Sequence, residues 1–299
     1  MDDGGQVSLD WFVSPHGKGD GPPAIAVIVP GLTGSSQTEY VKSLVPELAA
    51  AGYTCVGFNQ RSRGGTRLLT PRLYCAANCD DLKHALSHIR DQRPNSLIVA
   101  IGVSLGGIQL TRYLVQSGSA SVVDAAILVS VIFDLIRANE TLEQFGLNYL
   151  FNRALTSGVL KIADEERDML QQAEGIDYNQ VTQSKTLRQL DGSFTAPMFG
   201  YSGAEEYYRA ASNAGQLHHV RIPTLCLSSA DDFISPGPIL PLQEIRRSRH
   251  VAMILTQRGG HIGFMDGLFP SLPFFSERLI GQYAAALLKL SDVRKELAP

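Results

Sequence analysis

The sequence predicts an α/β fold with a doubly wound, mostly parallel sheet and a helical insertion, and three observations lead there. Short runs rich in Val, Ile and Leu recur along the chain. Helix-patterned segments fall between them, and one long stretch, from Phe133 to Thr224, breaks the alternation.

The runs are Ala24–Pro30, Tyr53–Asn59, Ser96–Ser104, Ala125–Phe133, Thr224–Ser228 and Val251–Thr256. Near-continuous apolarity marks strands buried on both faces, as in a parallel sheet. Gln6–Val13 alternates more and is expected as an edge strand. Between the runs, Tyr40–Ala51 puts Val41, Leu44, Val45 and Leu48 on one helical face. Asn78–Gln92 does the same with Leu82, Ala85, Leu86 and Ile89, and Asn78 with Asp81 resembles a helix start. Leu105–Gln116 follows the third run directly, and Phe274–Leu290 closes the chain. Strands alternating with helices imply right-handed crossovers.

The interrupting stretch holds helix-like pieces at Leu142–Leu155, Ala163–Gln172 and Ala204–Ala211. It is expected to be an insertion above the sheet, so residues 1–133 and 216–299 are assigned to the core and 134–215 to a helical lid. Such a lid would cover the C-terminal ends of the strands, where open α/β sheets bind ligands. Leu142, Phe145, Tyr149, Leu150 and Phe151 are expected either to face an acyl-chain tunnel or a bilayer or, equally, only to pack onto the sheet.

Composition narrows the function classes. The chain has 299 residues, 44% hydrophobic and 18% charged, which fits one large core and excludes a fibre or a disordered tail. A net charge of −3 gives no case for nucleic acid or for a strongly anionic membrane surface. Four cysteines are too few for a disulfide scaffold. Cys75 and Cys79 stand as C-x₃-C with no second pair, so no zinc site is expected. The thiols are expected to be reduced and partly buried. No secretory signal opens the chain, and its longest charge-free stretches, 94–111 and 21–38, carry Gly and Pro and do not read as membrane spans.

The chemistry centres on Gly102-Val103-Ser104-Leu105-Gly106, a G-x-S-x-G at the end of a buried run and the start of a helix. A serine there occupies a sharp strand-to-helix turn, and the glycines remove Cβ atoms that would clash in it. The helix N-terminus then aims backbone N–H groups at the reacting oxygen. Among seven histidines, His261 lies in a glycine-rich loop just past the last run and is the candidate base. His84 and His88 share a helix face without a third ligand and are expected to be solvated. His16, His218, His219 and His250 are expected at the surface. Asp231 and Asp232 follow the run Thr224–Ser228, and either carboxylate is placed in sequence to hold the imidazole tautomer. The order serine, aspartate, histidine is one of the few in which a catalytic triad is laid out along a chain. The backbone N–H groups of Leu32 and Leu105 are the candidate oxyanion donors, because Leu105 follows the serine and Leu32 lies in the glycine-bearing loop after Ala24–Pro30.

These residues carry a resemblance. The segments VPGLTGSSQTEYV (29–41), FNQRSRGGTRLLTPRLYCAANCDDL (58–82), GVSLGGIQL (102–110), FTAPMFGYSGAEEYY (194–208), LCLSSADDFISP (225–236) and GGHIGFMDG (259–267) are similar to α/β-hydrolase fold serine hydrolases. The resemblance is specifically to the α/β-hydrolase-domain (ABHD) subgroup of medium-chain phospholipases and related esterases, and it runs through nearly the whole chain. It implies Ser104 as nucleophile, His261 as base and Asp232 as acid, with Asp231 the alternative. Pro30 stands where many α/β-hydrolases have a histidine. It also implies a lipid or acyl-ester substrate and no cofactor or metal. The expected reaction is phospholipase A1-type release of a medium-chain fatty acid from phosphatidylcholine through an acyl-enzyme. The alternatives are a monoacylglycerol or short-chain carboxylesterase, an acyltransferase, or a non-catalytic lipid-binding protein. A membrane surface is the implied partner. The expected location is intracellular and soluble as given, with a membrane-anchored natural form if an N-terminal segment has been removed.

Overall fold

The computed structural model describes residues 1–12 and 24–296. Val13, the expected end of the edge strand, and His16 lie outside them. Strands β1 (Ser8–Phe12), β2 (Ala24–Val29), β3 (Tyr53–Asn59), β4 (Ile98–Val103), β5 (Ala125–Val129), β6 (Thr224–Ser229) and β7 (Val251–Thr256) form one sheet in the order β1-β3-β2-β4-β5-β6-β7. Every neighbouring pair is parallel except β1 and β3, which run antiparallel. All six apolar runs are strands, and the alternating segment is an edge. One detail differs: β7 is an edge strand with a single neighbour, so Ala252 and Leu255 are exposed rather than buried on both faces.

The helices between the strands are α1 (Glu39–Ala50), α2 (Asp80–Gln92) and α3 (Leu105–Ser117). The segment between β5 and β6 carries α4 (Leu135–Leu142), α5 (Leu147–Glu165), α6 (Arg167–Leu170), α7 (Tyr178–Thr182), α8 (Leu187–Leu190), α9 (Ala196–Met198) and α10 (Ala204–Ala211). Helices α11 (Leu242–Arg247) and α12 (Phe275–Glu296) follow. The period-2 pattern of the strands sorts these into two layers. On β4, Ile98 and Ala100 pack with Leu82, Leu86 and Ile89 of α2 and Ile108 and Leu114 of α3. Val99, Ile101 and Val103 face the other way, onto Val41, Leu44 and Leu48 of α1 and Ile280 and Ala284 of α12. A sheet covered on both faces explains why the strands read as apolar runs.

Chain order fixes where a site can form. The connection from β2 leads to β3 on one side, and the next strand, β4, lies on the other side of β2. Loops leaving the C-terminal ends of β2 and β4 therefore diverge and leave a crevice between them.

The segment between β5 and β6 differs from expectation in detail. Leu142–Leu155 is not one helix: α4 ends at Leu142 and α5 begins at Leu147, with Gly146 at φ +111° in the break. Glycine alone adopts such a backbone readily. The expected helix at Ala163–Gln172 divides between the end of α5 and the short α6, while Ala204–Ala211 is α10 as expected. Leu170, Tyr178, Val181, Leu190 and Phe194 form a separate apolar cluster with Leu68 and Leu73. Tyr207, Tyr208 and Ala211 of α10 join the main core instead.

Candidate active site

Ser104 stands between β4 and α3 with φ +52° and ψ −118°. Such a conformation costs a non-glycine residue on the order of 1–3 kcal/mol and persists only when its surroundings dictate it. Here they do. The Ser104 N–H donates to Val129 O at 2.9 Å, and Ser104 O accepts from the Ile108 N–H at 3.0 Å. The flanking glycines are sterically required. A Cβ on Gly102 would lie 2.7 Å from Gly107 Cα, and one on Gly106 would lie 2.2 Å from Val29 O and 2.4 Å from Pro30 O. Those contacts are backbone and cannot swing aside. Gly106→Ala is expected to lower the stability of the fold by about 2–3 kcal/mol, read as a shifted urea midpoint. A midpoint unchanged from the parent would show that the turn tolerates a side chain.

The turn aims Ser104 Oγ at His261. Nε2 of His261 lies 2.8 Å from Ser104 Oγ, and its Nδ1 lies 2.8 Å from Asp232 Oδ2. All three side chains are buried: Ser104 is 8% exposed, His261 9% and Asp232 1%. The second oxygen of Asp232, Oδ1, accepts from the N–H groups of Ile234 (2.8 Å) and Ser235 (3.1 Å). Two backbone donors fix the orientation of the carboxylate.

Asp231 does something else. It is exposed, and its Oδ1 accepts from the Gly260 N–H at 2.9 Å. That bond holds its carboxyl below the usual carboxylate range. Ser229 Oγ donates to Gly260 O at 2.6 Å. Asp231 and Ser229 thus hold both backbone polar groups of the residue before His261. Sequence reasoning missed Ser229, which reads as an ordinary strand-end serine.

The loop after β2 approaches the same point. A Cβ on Gly31 would lie 3.2 Å from Ser104 Cβ, which places this loop against the serine. The N–H of Gly31 donates to Tyr40 Oη at 2.8 Å and the N–H of Thr33 to Tyr74 Oη at 3.1 Å. Among the described residues, the N–H groups of Leu32 and Leu105 donate to no protein acceptor. Leu105 is the first residue of α3, where an N–H has no partner within the helix. Two unclaimed donors beside a buried serine can hold a developing oxyanion.

The remaining histidines and cysteines stand apart. His84, His88, His218 and His219 are exposed, as expected, and His250 is partly so. All four cysteines are free thiols, fully rather than partly buried. Burial pushes the Cys55, Cys75 and Cys226 thiols up to about 12, so they remain protonated and inert.

Comparison with known proteins gives the family of the chain. Residues 26–268 match the α/β hydrolase fold family. The chain is an ABHD-type α/β-hydrolase. Phospholipase ABHD3 of Homo sapiens is 37% identical over 96% of this chain and 70% of that protein. A monoacylglycerol lipase of Saccharomyces cerevisiae is 30% identical over 84% of this chain and 57% of that protein. Among solved structures, an esterase from Pyrococcus furiosus shares the fold, with a TM-score of 0.58 at 15% identity over 96% of this chain and 87% of that one.

In this hydrolase a cavity of about 340 Å³ opens on Ser104 and His261, within the range of small-molecule pockets. Leu135, Ala138 and Leu142 of α4, Leu155, Val159 and Ile162 of α5, and Leu187 and Leu190 of α8 line it from the segment between β5 and β6. No lysine or arginine is among its lining residues. Asp191 also opens on it, with Oδ2 accepting from Tyr208 Oη at 2.8 Å. Burial raises that carboxyl to about 6.

Of the five residues expected on a tunnel wall or bilayer face, only Leu142 lines this cavity. Phe145 and Leu150, on either side of the break at Gly146, are exposed to solvent, and Tyr149 is partly exposed. Phe151 stacks on Phe233 at 4.1 Å between ring centroids, and Phe233 meets the His261 ring edge-on at 6.1 Å. Phe151, Phe233, His261 and Met265 line a second cleft, of about 550 Å³.

Proposed function

We propose that this hydrolase cleaves acyl esters of lipids through an acyl-enzyme, as a phospholipase A1-type enzyme releasing medium-chain fatty acid from phosphatidylcholine. The observation that carries the reading is the hydrogen-bonded line Ser104–His261–Asp232 at the mouth of an apolar cavity. His261 Nε2 takes the proton of Ser104 as Oγ attacks the ester carbonyl. The N–H groups of Leu32 and Leu105 receive the negative charge that develops on the carbonyl oxygen. Asp232 stabilises the imidazolium and holds its tautomer. The imidazolium then gives the proton to the departing alcohol oxygen as the C–O bond breaks. Water attacks the acyl-enzyme with His261 again as base, which releases the acid and restores Ser104.

The cavity favours the acyl chain as its occupant. Its wall is mostly aliphatic, and its lining holds no cation to meet a phosphate. The head group therefore stays outside, and the segment 134–215 acts as the lid that supplies about half of the cavity wall. The named phospholipase relatives support a phospholipid substrate. The test is product analysis by mass spectrometry on phosphatidylcholines of graded chain length, with a monoacylglycerol and a butyrate ester alongside. Serine-dependent release of lysophospholipid, strongest at medium chains, is the expected result. Turnover of the butyrate ester or monoacylglycerol alone would overturn the phospholipid assignment.

A lipid surface is the proposed partner. Phe145, Leu147 and Leu150 at the start of α5, and Met265, Leu268 and Phe269 ahead of α12, are large, apolar and exposed. Phe151 and Met265, from the same two segments, line the cleft at His261. Exposed apolar side chains gathered around an entrance suit docking on a lipid interface. Burying two phenylalanines in that interface is worth roughly 3–6 kcal/mol. The double change Phe145→Ser with Phe269→Ser is therefore expected to weaken co-sedimentation with phosphatidylcholine vesicles at least tenfold, leaving turnover of a soluble ester intact. Undiminished vesicle binding would remove these residues from the interface. No helix among the described residues is long and apolar enough to cross a membrane.

A further inference from the structure

We infer that Tyr40 and Tyr74 are positioning residues for the oxyanion loop, whose hydroxyl oxygens clamp the backbone on either side of Leu32. The inference rests on the serine-hydrolase reading above and adds what holds one of its two donors in place.

The Leu32 N–H lies between two backbone donors that are both claimed. Gly31 N–H points to Tyr40 Oη at 2.8 Å, and Thr33 N–H points to Tyr74 Oη at 3.1 Å. With the peptide planes before and after it tied down, the Leu32 peptide has little freedom to rotate. The loop needs such a restraint. Thr33 sits at φ +63°, a left-handed conformation unfavourable for a β-branched residue. A relaxed Thr33 would redirect the backbone that carries the Leu32 N–H. The two phenols come from different parts of the fold, Tyr40 from the first turn of α1 and Tyr74 from the connection between β3 and α2, so each restrains the loop independently. Gly34 leaves room for this arrangement, since a Cβ there would lie 2.8 Å from Tyr40 Oη. Both hydroxyls remain neutral hydrogen-bonding groups at any ordinary pH. Burial raises Tyr40 to about 12 and raises Tyr74 as well.

Both tyrosines also line the cavity that opens on Ser104. A purely structural tyrosine would affect the amount of folded protein. One that aims an oxyanion donor affects the transition state more than the bound substrate.

The test compares the unaltered chain with Tyr40→Phe and with Tyr74→Phe. Each change removes one hydroxyl and leaves the ring. Steady-state kcat and KM are measured on p-nitrophenyl butyrate, and the Ki of a trifluoromethyl ketone, whose hemiketal oxygen mimics the oxyanion, is measured beside them. Active sites are counted with a fluorophosphonate, and melting temperatures are recorded. Each variant is expected to lose about 10- to 100-fold in kcat, a fraction of what loss of a whole donor costs. KM should stay within about threefold, and Ki should rise by the same factor as kcat/KM falls. Unchanged kcat and Ki in both folded variants would overturn the inference. So would a loss that follows a fall in melting temperature while Ki per counted site stays at the parent value. If one variant does not fold, the other reads the same loop from its opposite side. A parent enzyme without serine-dependent turnover would instead take down the serine-hydrolase reading, and this inference with it.

Discussion

Ser104→Ala is expected to lower kcat on any ester substrate by about 10⁶-fold, the size of loss seen when a triad nucleophile is removed. The magnitude follows from geometry. Ser104 Oγ is the hydroxyl within 2.8 Å of His261 Nε2, and Leu32 and Leu105, whose N–H groups have no protein acceptor, line the same cavity. Without the hydroxyl no acyl-enzyme forms. What remains is the oxyanion hole acting on a water attack, worth roughly 10³–10⁴ over the uncatalysed reaction. The substitution should not harm the fold. Alanine retains the Cβ, and the Ser104 backbone bonds to Val129 and Ile108 involve no side-chain atom. The measurement pairs active-site labelling by a fluorophosphonate with single-turnover kinetics on a butyrate ester. A folded variant that keeps turnover within tenfold of the parent would show that another nucleophile acts.

The elbow was legible because its constraints are local. A buried run, two flanking glycines and a helix start within ten residues admit few structures other than a strand–turn–helix. The strands were legible for a related reason: a sheet covered by α2 and α3 on one side and by α1 and α12 on the other needs apolar residues throughout. β7 departs because its sequence is as apolar as the rest while its position at the edge leaves Leu255 exposed, and position in a sheet is not written in a strand's own residues.

Non-local bonds were not legible. Nothing in the spacing of Tyr40 or Tyr74 points to the loop at Gly31–Thr33, since the contacts span 9 and 41 residues. The aromatic and leucine-rich start of α5 was ambiguous in another way. Apolar type fits a tunnel wall, a bilayer face or packing on the sheet equally well, and a helix pattern read across the break at Gly146 does not choose among them. The residues that do line the cavity, such as Leu155, Val159 and Ile162, lie further along the same helix, at the i, i+4 and i+7 spacing of one face.

Two adjacent aspartates pose the question that the sequence left open, and their exchange for asparagine should separate them by about three orders of magnitude. Asp232→Asn is expected to lower kcat by about 10⁴-fold. Its Oδ2 is 2.8 Å from His261 Nδ1, and the carboxylate fixes the tautomer that leaves Nε2 free to accept the Ser104 proton. An amide in that place can present its NH₂ to Nδ1. The proton is then driven to Nε2, and the base is blocked. Asp232 Oδ1 also accepts two backbone N–H groups, and the asparagine oxygen can keep those bonds, so the loop should hold its shape and the loss should fall on chemistry. Asp231→Asn keeps an oxygen for the Gly260 N–H and loses only the charge of an exposed group, so its cost should be at most about tenfold. Steady-state kinetics on one soluble ester, with melting temperatures as a check on folding, distinguishes the two. If Asp231→Asn were the crippled variant and Asp232→Asn the mild one, Asp231 would be the orienting acid and the bond at Nδ1 would be a structural contact only.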